Sequence, residues 1–148
     1  MIIYRNIKIT EIDLLESLWY MNKDYHTNIS PYFKINYSHL SFDGRFNNLD
    51  HNEDYIVTIA EHDNNPIGYI ITILNDGIGE HLSLHVNELY RGRGIGKELL
   101  TIHKDWLDSK HCKDISIKVS YENISTIEFY KSQGFMPDIL EMKLQKNS

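Results

Sequence analysis

The stretch Tyr90-Arg91-Gly92-Arg93-Gly94-Ile95-Gly96-Lys97 places glycines at three alternating positions. It lies between an apolar, strand-like segment at residues 82–86 and an amphipathic, helix-like segment at residues 95–107. Glycines at this spacing let the backbone turn with its N–H groups pointing inward, and they leave no Cβ in the way of a ligand. The following helix adds the partial positive charge of its N-terminus. The stretch therefore predicts a loop that binds phosphate or pyrophosphate.

Before the loop, the pattern predicts one strand, a helical region and three consecutive strands. Alternating residues predict a strand over 2–9, and helical spacing predicts a helix over 11–28 with Thr10 as its cap. β-branched runs joined by turn-forming residues predict antiparallel strands: residues 55–61, 67–74 and 81–86. Residues 30–48 are interpreted as helix or loop, with aromatic residues that either pack in the core or line an acceptor pocket: Phe33, Tyr37, Phe42 and Phe46.

After the loop, apolar spacing predicts a helix that begins at Ile95 and ends near Ser109, followed by a strand over residues 115–119. A short helix is predicted over 124–132, ending at Gly134, with one or two last strands within residues 135–144. The chain is thus predicted to form an α+β domain over residues 1–148. Its mixed, mostly antiparallel sheet has six to seven strands, flanked by about four helices.

Composition narrows the class of protein. The chain has 148 residues, of which 41% are hydrophobic, enough for one domain with a core of its own. A lone Cys112 and the absence of a signal-peptide pattern predict a cytoplasmic protein, and no apolar run approaches the roughly 18 to 20 residues that span a bilayer. A net charge of −6 argues against nucleic-acid binding.

Two other glycine-loop folds fit the sequence poorly. A dinucleotide fold needs a βαβ unit, whereas the strands before this loop are predicted to be antiparallel. A Walker-type loop needs a hydroxyl residue after its lysine, and Lys97 is followed by Glu98.

Two motifs resemble the GCN5-related N-acetyltransferase family. The family signature Q/R-x-x-G-x-G/A is met by Arg91, Gly94 and Gly96, and residues 123–135 resemble the family's asparagine, helix, tyrosine and Gly-Phe arrangement. The likeness extends over residues 2–144, with its specific part at 80–135. One departure is Asn87, where many relatives carry proline. The resemblance implies the acyl-CoA N-acyltransferase fold, with acetyl-CoA or coenzyme A as cosubstrate.

The resemblance also implies how acetyl-CoA would be held. Main-chain N–H groups of the loop would surround the pyrophosphate: Gly92, Arg93, Gly94, Ile95, Gly96 and Lys97. The side chains of Arg91, Arg93 and Lys97 would add positive charge at its rim. The strand Leu84, His85 and Val86 would pair with the pantetheine arm, and the Val86 N–H would donate to the thioester oxygen. Asn123 would hydrogen-bond the arm.

Direct attack on the thioester needs a neutral amine and a proton donor for the leaving sulfur. By resemblance, Tyr130 would be the acid and Glu80 the base or the residue that positions water; His81 and His85 are competing bases. Cys112 lacks a nearby histidine motif, and no metal-site spacing is present. The expected function is an N-acetyltransferase acting in a ternary complex on a small amine or polyamine, an antibiotic amine, an amino acid or a protein amine. The expected assembly is a monomer or homodimer, and the alternative function is an acyl-CoA binding or sensing module without turnover.

Overall fold

A computed structural model describes residues 1–30 and 40–145. The predictions for Phe33 and Tyr37 fall outside the described residues. The described strands are β1 Ile2–Asn6, β2 Asp54–His62, β3 Asn65–Asn75, β4 Ile78–Val86 and β5 Asp114–Ile117. The described helices are α1 Glu16–Ile29, α2 Phe42–Phe46, α3 Ile95–Ser109 and α4 Ile124–Ser132, with short 3₁₀ helices at Ile9–Leu15, Leu49–His51 and Glu88–Tyr90.

The described strands form one sheet in the order β1-β2-β3-β4-β5. The first three pairings are antiparallel, and β4 pairs with β5 in parallel. Asp63 and Asn64 both have positive φ in the β2–β3 turn, as do Asp76 and Gly77 in the β3–β4 turn. Such turns match the twist of a hairpin, so the predicted antiparallel run into the glycine loop is confirmed.

Two apolar clusters cover the two faces of the sheet. On the α1 face, Trp19 packs edge-to-face against Phe42 and Phe46, with ring centroids 5.9 Å and 6.3 Å away. These two phenylalanines therefore belong to the core rather than to a pocket wall. On the other face, Leu99 of α3 and Tyr130 of α4 belong to a second buried cluster.

The N-terminal region departs from its predicted boundaries. The first strand ends at Asn6, and a 3₁₀ helix over Ile9–Leu15 precedes α1. Among the described residues, no helix has the length and apolar composition required to cross a membrane.

The C-terminal segment departs from the prediction more clearly. The described residues form five strands rather than six to seven, and residues 136–145 contain none. Ile139 and Leu144 are 86% and 89% exposed. Alternation predicts which face a strand residue takes, but a strand also needs a neighbouring edge with which to pair. The edge strand β5 has only four residues, and Pro137 has no N–H to donate.

Candidate functional site

The strands β4 and β5 separate partway along their length. They pair only from Ile78–His81 of β4 to Asp114–Ile117 of β5, whereas β4 continues to Val86 beside β3. The register between β3 and β4 shifts at Leu82, a bulge that increases the local twist. One edge of β4 is therefore open beyond His81.

The hydrogen-bond alternation of an antiparallel pair determines which groups face this opening. Asn87 donates its N–H to the Ile67 carbonyl at 2.7 Å, so alternate residues back along β4 also bond to β3. His85 is one of these, whereas the main chains of Leu84 and Val86 face away from β3. The Val86 carbonyl accepts a bond from Arg91 Nε at 3.1 Å. The open edge thus presents main-chain groups of Leu84 and Val86.

A cavity of about 440 Å³, the β4–β5 cleft, follows this open edge. Eleven of the predicted site residues line it: Leu84, His85, Val86, Arg91, Gly92, Gly94, Ile95, Gly96, Lys97, Asn123 and Tyr130. Arg93 does not line the cleft; its guanidinium carbon lies 5.0 Å from the centre of the Tyr90 ring. Glu80 also lies outside the described lining.

The glycine loop leads directly into the N-terminus of α3. Gly92 and Gly94 have φ of 79° and 78°, and a Cβ on either would meet nothing within 4 Å. A Cβ on Gly96 would lie 3.3 Å from Phe129 Cζ, so a larger residue there would require the Phe129 ring to move by a few tenths of an ångström. The N-cap residue of α3 is Gly94, which has no side chain to cap the helix. The first N–H groups of α3 lack intrahelical partners and point toward an anion at this end of the helix.

The second motif forms α4 and the end of the cleft. Asn123 is 3% exposed, and its Oδ1 accepts a bond from the Thr126 N–H at 3.3 Å, so it caps the helix. The helix ends in a Schellman arrangement, in which Phe135 N–H donates to the Tyr130 carbonyl and Gly134 has a φ of 95°. This local geometry fixes Tyr130 on the wall of the cleft.

Tyr130 is suited to hold a proton in the cleft. Its side chain is buried, with 5% exposure, and burial raises its pKa above the usual value for tyrosine. The phenol therefore stays protonated at neutral and mildly alkaline pH, as a proton donor requires.

The two histidines considered as bases are neutral and buried. Burial, with smaller effects from Arg91 and His26, lowers the pKa of His85 to about 4. Burial likewise lowers the pKa of His81 to about 4, and its Nδ1 lies 2.7 Å from Thr72 Oγ1 inside the core. A group with so low a pKa is a weak acceptor for an ammonium proton.

Glu80 lies where β4 and β5 are still paired, opposite Ser116. Its Oε2 is 3.6 Å from Lys118 Nζ, and its side chain is 25% exposed. Val86 lies six positions further along β4, which is about 20 Å in an extended strand. That span favours positioning of water over direct proton transfer as the predicted role for Glu80.

Among the described residues, no group of three or more His, Cys, Asp or Glu side chains is placed to hold a metal ion. Cys112 lies outside the described lining of the cleft, and its Sγ donates to the Asp114 carbonyl at 3.0 Å.

Several residues that line the cleft were not predicted from the sequence: Asn22, Tyr25 and His26 of α1, with Lys118 and Ser120 after β5. These residues belong to no sequence motif. They line one cavity only because β4 and β5 separate there.

Comparison with known proteins gives a family and a fold. A family model described as "Acetyltransferase (GNAT) family" matches residues 16–135. N-alpha-acetyltransferase 30 of Saccharomyces cerevisiae is 32% identical over 78 residues, which are 49% of this chain and 44% of that protein. The chain thus matches less than half the length of this relative.

Solved structures show the same fold at low identity. The X-ray structure of a tetramutant of a Bacillus halodurans protein has a TM-score of 0.78 at 18% identity, covering 97% of this chain and 99% of the other. PaiA N-acetyltransferase of Thermoplasma acidophilum, in complex with coenzyme A, has a TM-score of 0.71 at 21% identity, covering 95% and 93%. The predicted fold is confirmed, with a smaller number of strands.

Proposed function

The chain belongs to the acetyltransferase (GNAT) family, and from this premise we propose that it is an N-acetyltransferase that moves the acetyl group of acetyl-CoA to a primary amine. One observation carries the proposal: a single cleft joins an uncapped helix N-terminus to an unpaired strand edge. Coenzyme A needs both features, because it carries a pyrophosphate and an arm with two amides.

The residues of the β4–β5 cleft fit this cosubstrate. The space left open at Gly92 and Gly94 lets main-chain N–H groups between residues 92 and 97 approach the pyrophosphate. Arg91, Arg93 and Lys97 would add positive charge at the rim of the loop. The exposed main chain of Leu84 and Val86 would pair with the pantetheine amides as an added strand does, and Asn123 would hydrogen-bond the same arm.

Acetyl-CoA would supply an acetyl group activated as a thioester. In the proposed reaction the amine nitrogen bonds to the acetyl carbon, the carbon–sulfur bond breaks, and the amine loses one proton. The Val86 N–H would stabilise negative charge on the thioester oxygen. Tyr130 would donate a proton to the departing sulfur, which its raised pKa supports. Glu80 would help to remove the amine proton only through water.

Direct transfer in a ternary complex is favoured over an acetyl-cysteine intermediate. Cys112, the single cysteine, lies outside the described lining of the cleft. We propose a small-molecule or peptide amine as acceptor; the yeast relative is named an N-alpha-acetyltransferase. A cytoplasmic location and a monomeric or homodimeric state remain predictions from the sequence.

Two measurements test the proposed function. Calorimetry with coenzyme A and acetyl-CoA should detect binding, and release of free thiol should continue steadily when acetyl-CoA is mixed with an accepted amine. A folded protein that binds neither molecule would contradict the proposal. Tight binding without thiol release across a broad amine panel would favour the acyl-CoA sensing module instead.

A further inference from the structure

A second cavity adjoins the β4–β5 cleft on the α1 face of the sheet. Its volume is about 230 Å³. Asn22, His26, Leu82, Ser83, Lys118 and Ser120 line both cavities. Because the walls are shared, a small molecule in the second cavity would lie next to the part of β4 where the strands separate.

The second cavity is basic, although the chain is acidic. Its described lining includes Lys23, Arg45 and Lys118, and none of the described lining residues is Asp or Glu. The chain as a whole has 21 acidic residues against 15 Lys and Arg. The charge of this basic cavity is therefore opposite to that of the chain.

Arg45 is held in place without a carboxylate partner among the described residues. Its Nη2 donates to the Leu82 carbonyl at 3.4 Å, and its guanidinium carbon lies 5.3 Å from the centre of the Phe46 ring. A positioned guanidinium is suited to bind carboxylate or phosphate.

Lys118 provides a second cation at the shared wall. Its contact with Glu80 is 3.6 Å, and its side chain is 91% exposed. An exposed ion pair of this kind contributes little and exchanges readily, so Lys118 can turn to an anion in the basic cavity.

Building on the N-acetyltransferase function proposed above, we propose that the acceptor is a small amine that also carries a carboxylate or phosphate. Arg45 and Lys118 bind this anionic group in the basic cavity, and the amine points toward the thioester end of the β4–β5 cleft. The volume of about 230 Å³ favours a molecule the size of an amino acid or a short phosphoamine over a large polycation.

Matched amine pairs test this inference. β-Alanine is compared with β-alaninamide, and phosphoethanolamine with ethanolamine, by thiol release from acetyl-CoA. The anionic member of at least one pair should have a kcat/KM about tenfold or more higher, and the pair that responds identifies the anion. Arg45→Gln should reduce that preference about 10- to 100-fold, whereas Lys104→Gln, the same charge change on the exposed face of α3, should leave it unchanged.

A binding measurement separates recognition from turnover. N-acetyl-β-alanine, or N-acetyl-phosphoethanolamine if that pair responds, should bind the protein loaded with coenzyme A, and Arg45→Gln should weaken this binding while the affinity for coenzyme A stays the same. Equal or better use of the neutral amines would overturn this inference and leave the N-acetyltransferase function standing. Acetylation of no amine by protein that binds acetyl-CoA would overturn both.

Discussion

The Thr58 hydroxyl lies 2.7 Å from Nε2 of His103, at the centre of the packing between β2 and α3. Both side chains are buried, and the contact belongs to a chain of polar groups that crosses the sheet. Thr58 Oγ1 also lies 2.6 Å from Asn6 Oδ1, and Thr72 Oγ1 lies 2.6 Å from His103 Nδ1 and 2.7 Å from His81 Nδ1.

The directions of these hydrogen bonds follow from the number of protons available. Thr58 donates its one hydroxyl proton to Asn6, so it accepts from His103 Nε2–H. His103 Nδ1 then accepts from the Thr72 hydroxyl, which in turn accepts from His81 Nδ1–H. In this pattern His103 is neutral with its proton on Nε2, because its Nδ1 accepts a bond, and His81 carries a proton on Nδ1.

Thr58→Val should lower the free energy of unfolding by about 1 to 3 kcal/mol. Valine has a similar shape, but it leaves the His103 N–H and the Asn6 amide oxygen without partners. Urea unfolding monitored by circular dichroism measures the change. Thr101→Val, at an exposed position on α3, should change stability by less than about 0.5 kcal/mol. Equal losses in the two variants would show that the buried hydrogen bonds of Thr58 have no special role in stability.

Stability should fall as the pH drops from about 6.5 toward 4. Burial lowers the pKa of His81 and of His85 to about 4 and that of His103 to about 3, while an unfolded histidine has a pKa near 6.5. Below pH 6.5 the unfolded chain therefore binds protons that the folded chain does not. Each histidine should contribute up to about 1.4 kcal/mol per pH unit in this window, with its full contribution present above pH 6.5.

Unfolding curves at several pH values, with a histidine removed, check the origin of this slope. His85→Leu removes one titrating group without touching the Thr58–His103 chain. Burial also lowers the pKa of His26, so the slope should fall by the share of one of four histidines. The matched variant His51→Leu, at an exposed histidine, should keep the original slope. A slope unaffected by His85→Leu would assign the acid sensitivity to other groups.

The elements around the two motifs could be predicted from sequence because their signals are local. The bounds of α4 agree with the prediction, since Asn123 caps its first turn and Gly134 adopts the left-handed conformation after its last. The end of α3 at Ser109 was equally predictable from helical spacing. Each signal lies within a few residues of the boundary it determines.

The remaining features depend on residues that are distant in sequence. His103 fits the apolar face of α3 in the sequence, and nothing local indicates that it meets Thr58 and Thr72 from two different strands. The basic cavity is likewise assembled from α1, α2 and the parted strands, so Arg45 carries no recognisable motif. The missing C-terminal strand shows the same limit, because pairing depends on an available edge rather than on alternation.

Gly94→Leu should weaken coenzyme A binding at least about tenfold, measured by calorimetry. Gly94 has a φ of 78° and faces open space, where a side chain would hold the pyrophosphate away from the main-chain N–H groups. Gly77→Leu is the matched control, because Gly77 has a φ of 76° in the distant β3–β4 turn. Its backbone strain is the same, so equal affinities in the two variants would contradict the loop assignment.

Tyr130→Phe should lower kcat while the affinity for coenzyme A changes little. The phenol is proposed to protonate the departing sulfur, and its ring supplies most of its packing against Phe129 and Phe135, which phenylalanine preserves. Loss of a general acid typically costs about 100-fold or more in rate.

In the unchanged protein, the raised pKa of Tyr130 predicts no loss of rate through tyrosine ionisation between pH 8 and 10. Steady-state rates across this range, with exposed Tyr121→Phe as the control, test the role; identical rates for Tyr130→Phe and the unchanged protein at every pH would exclude it.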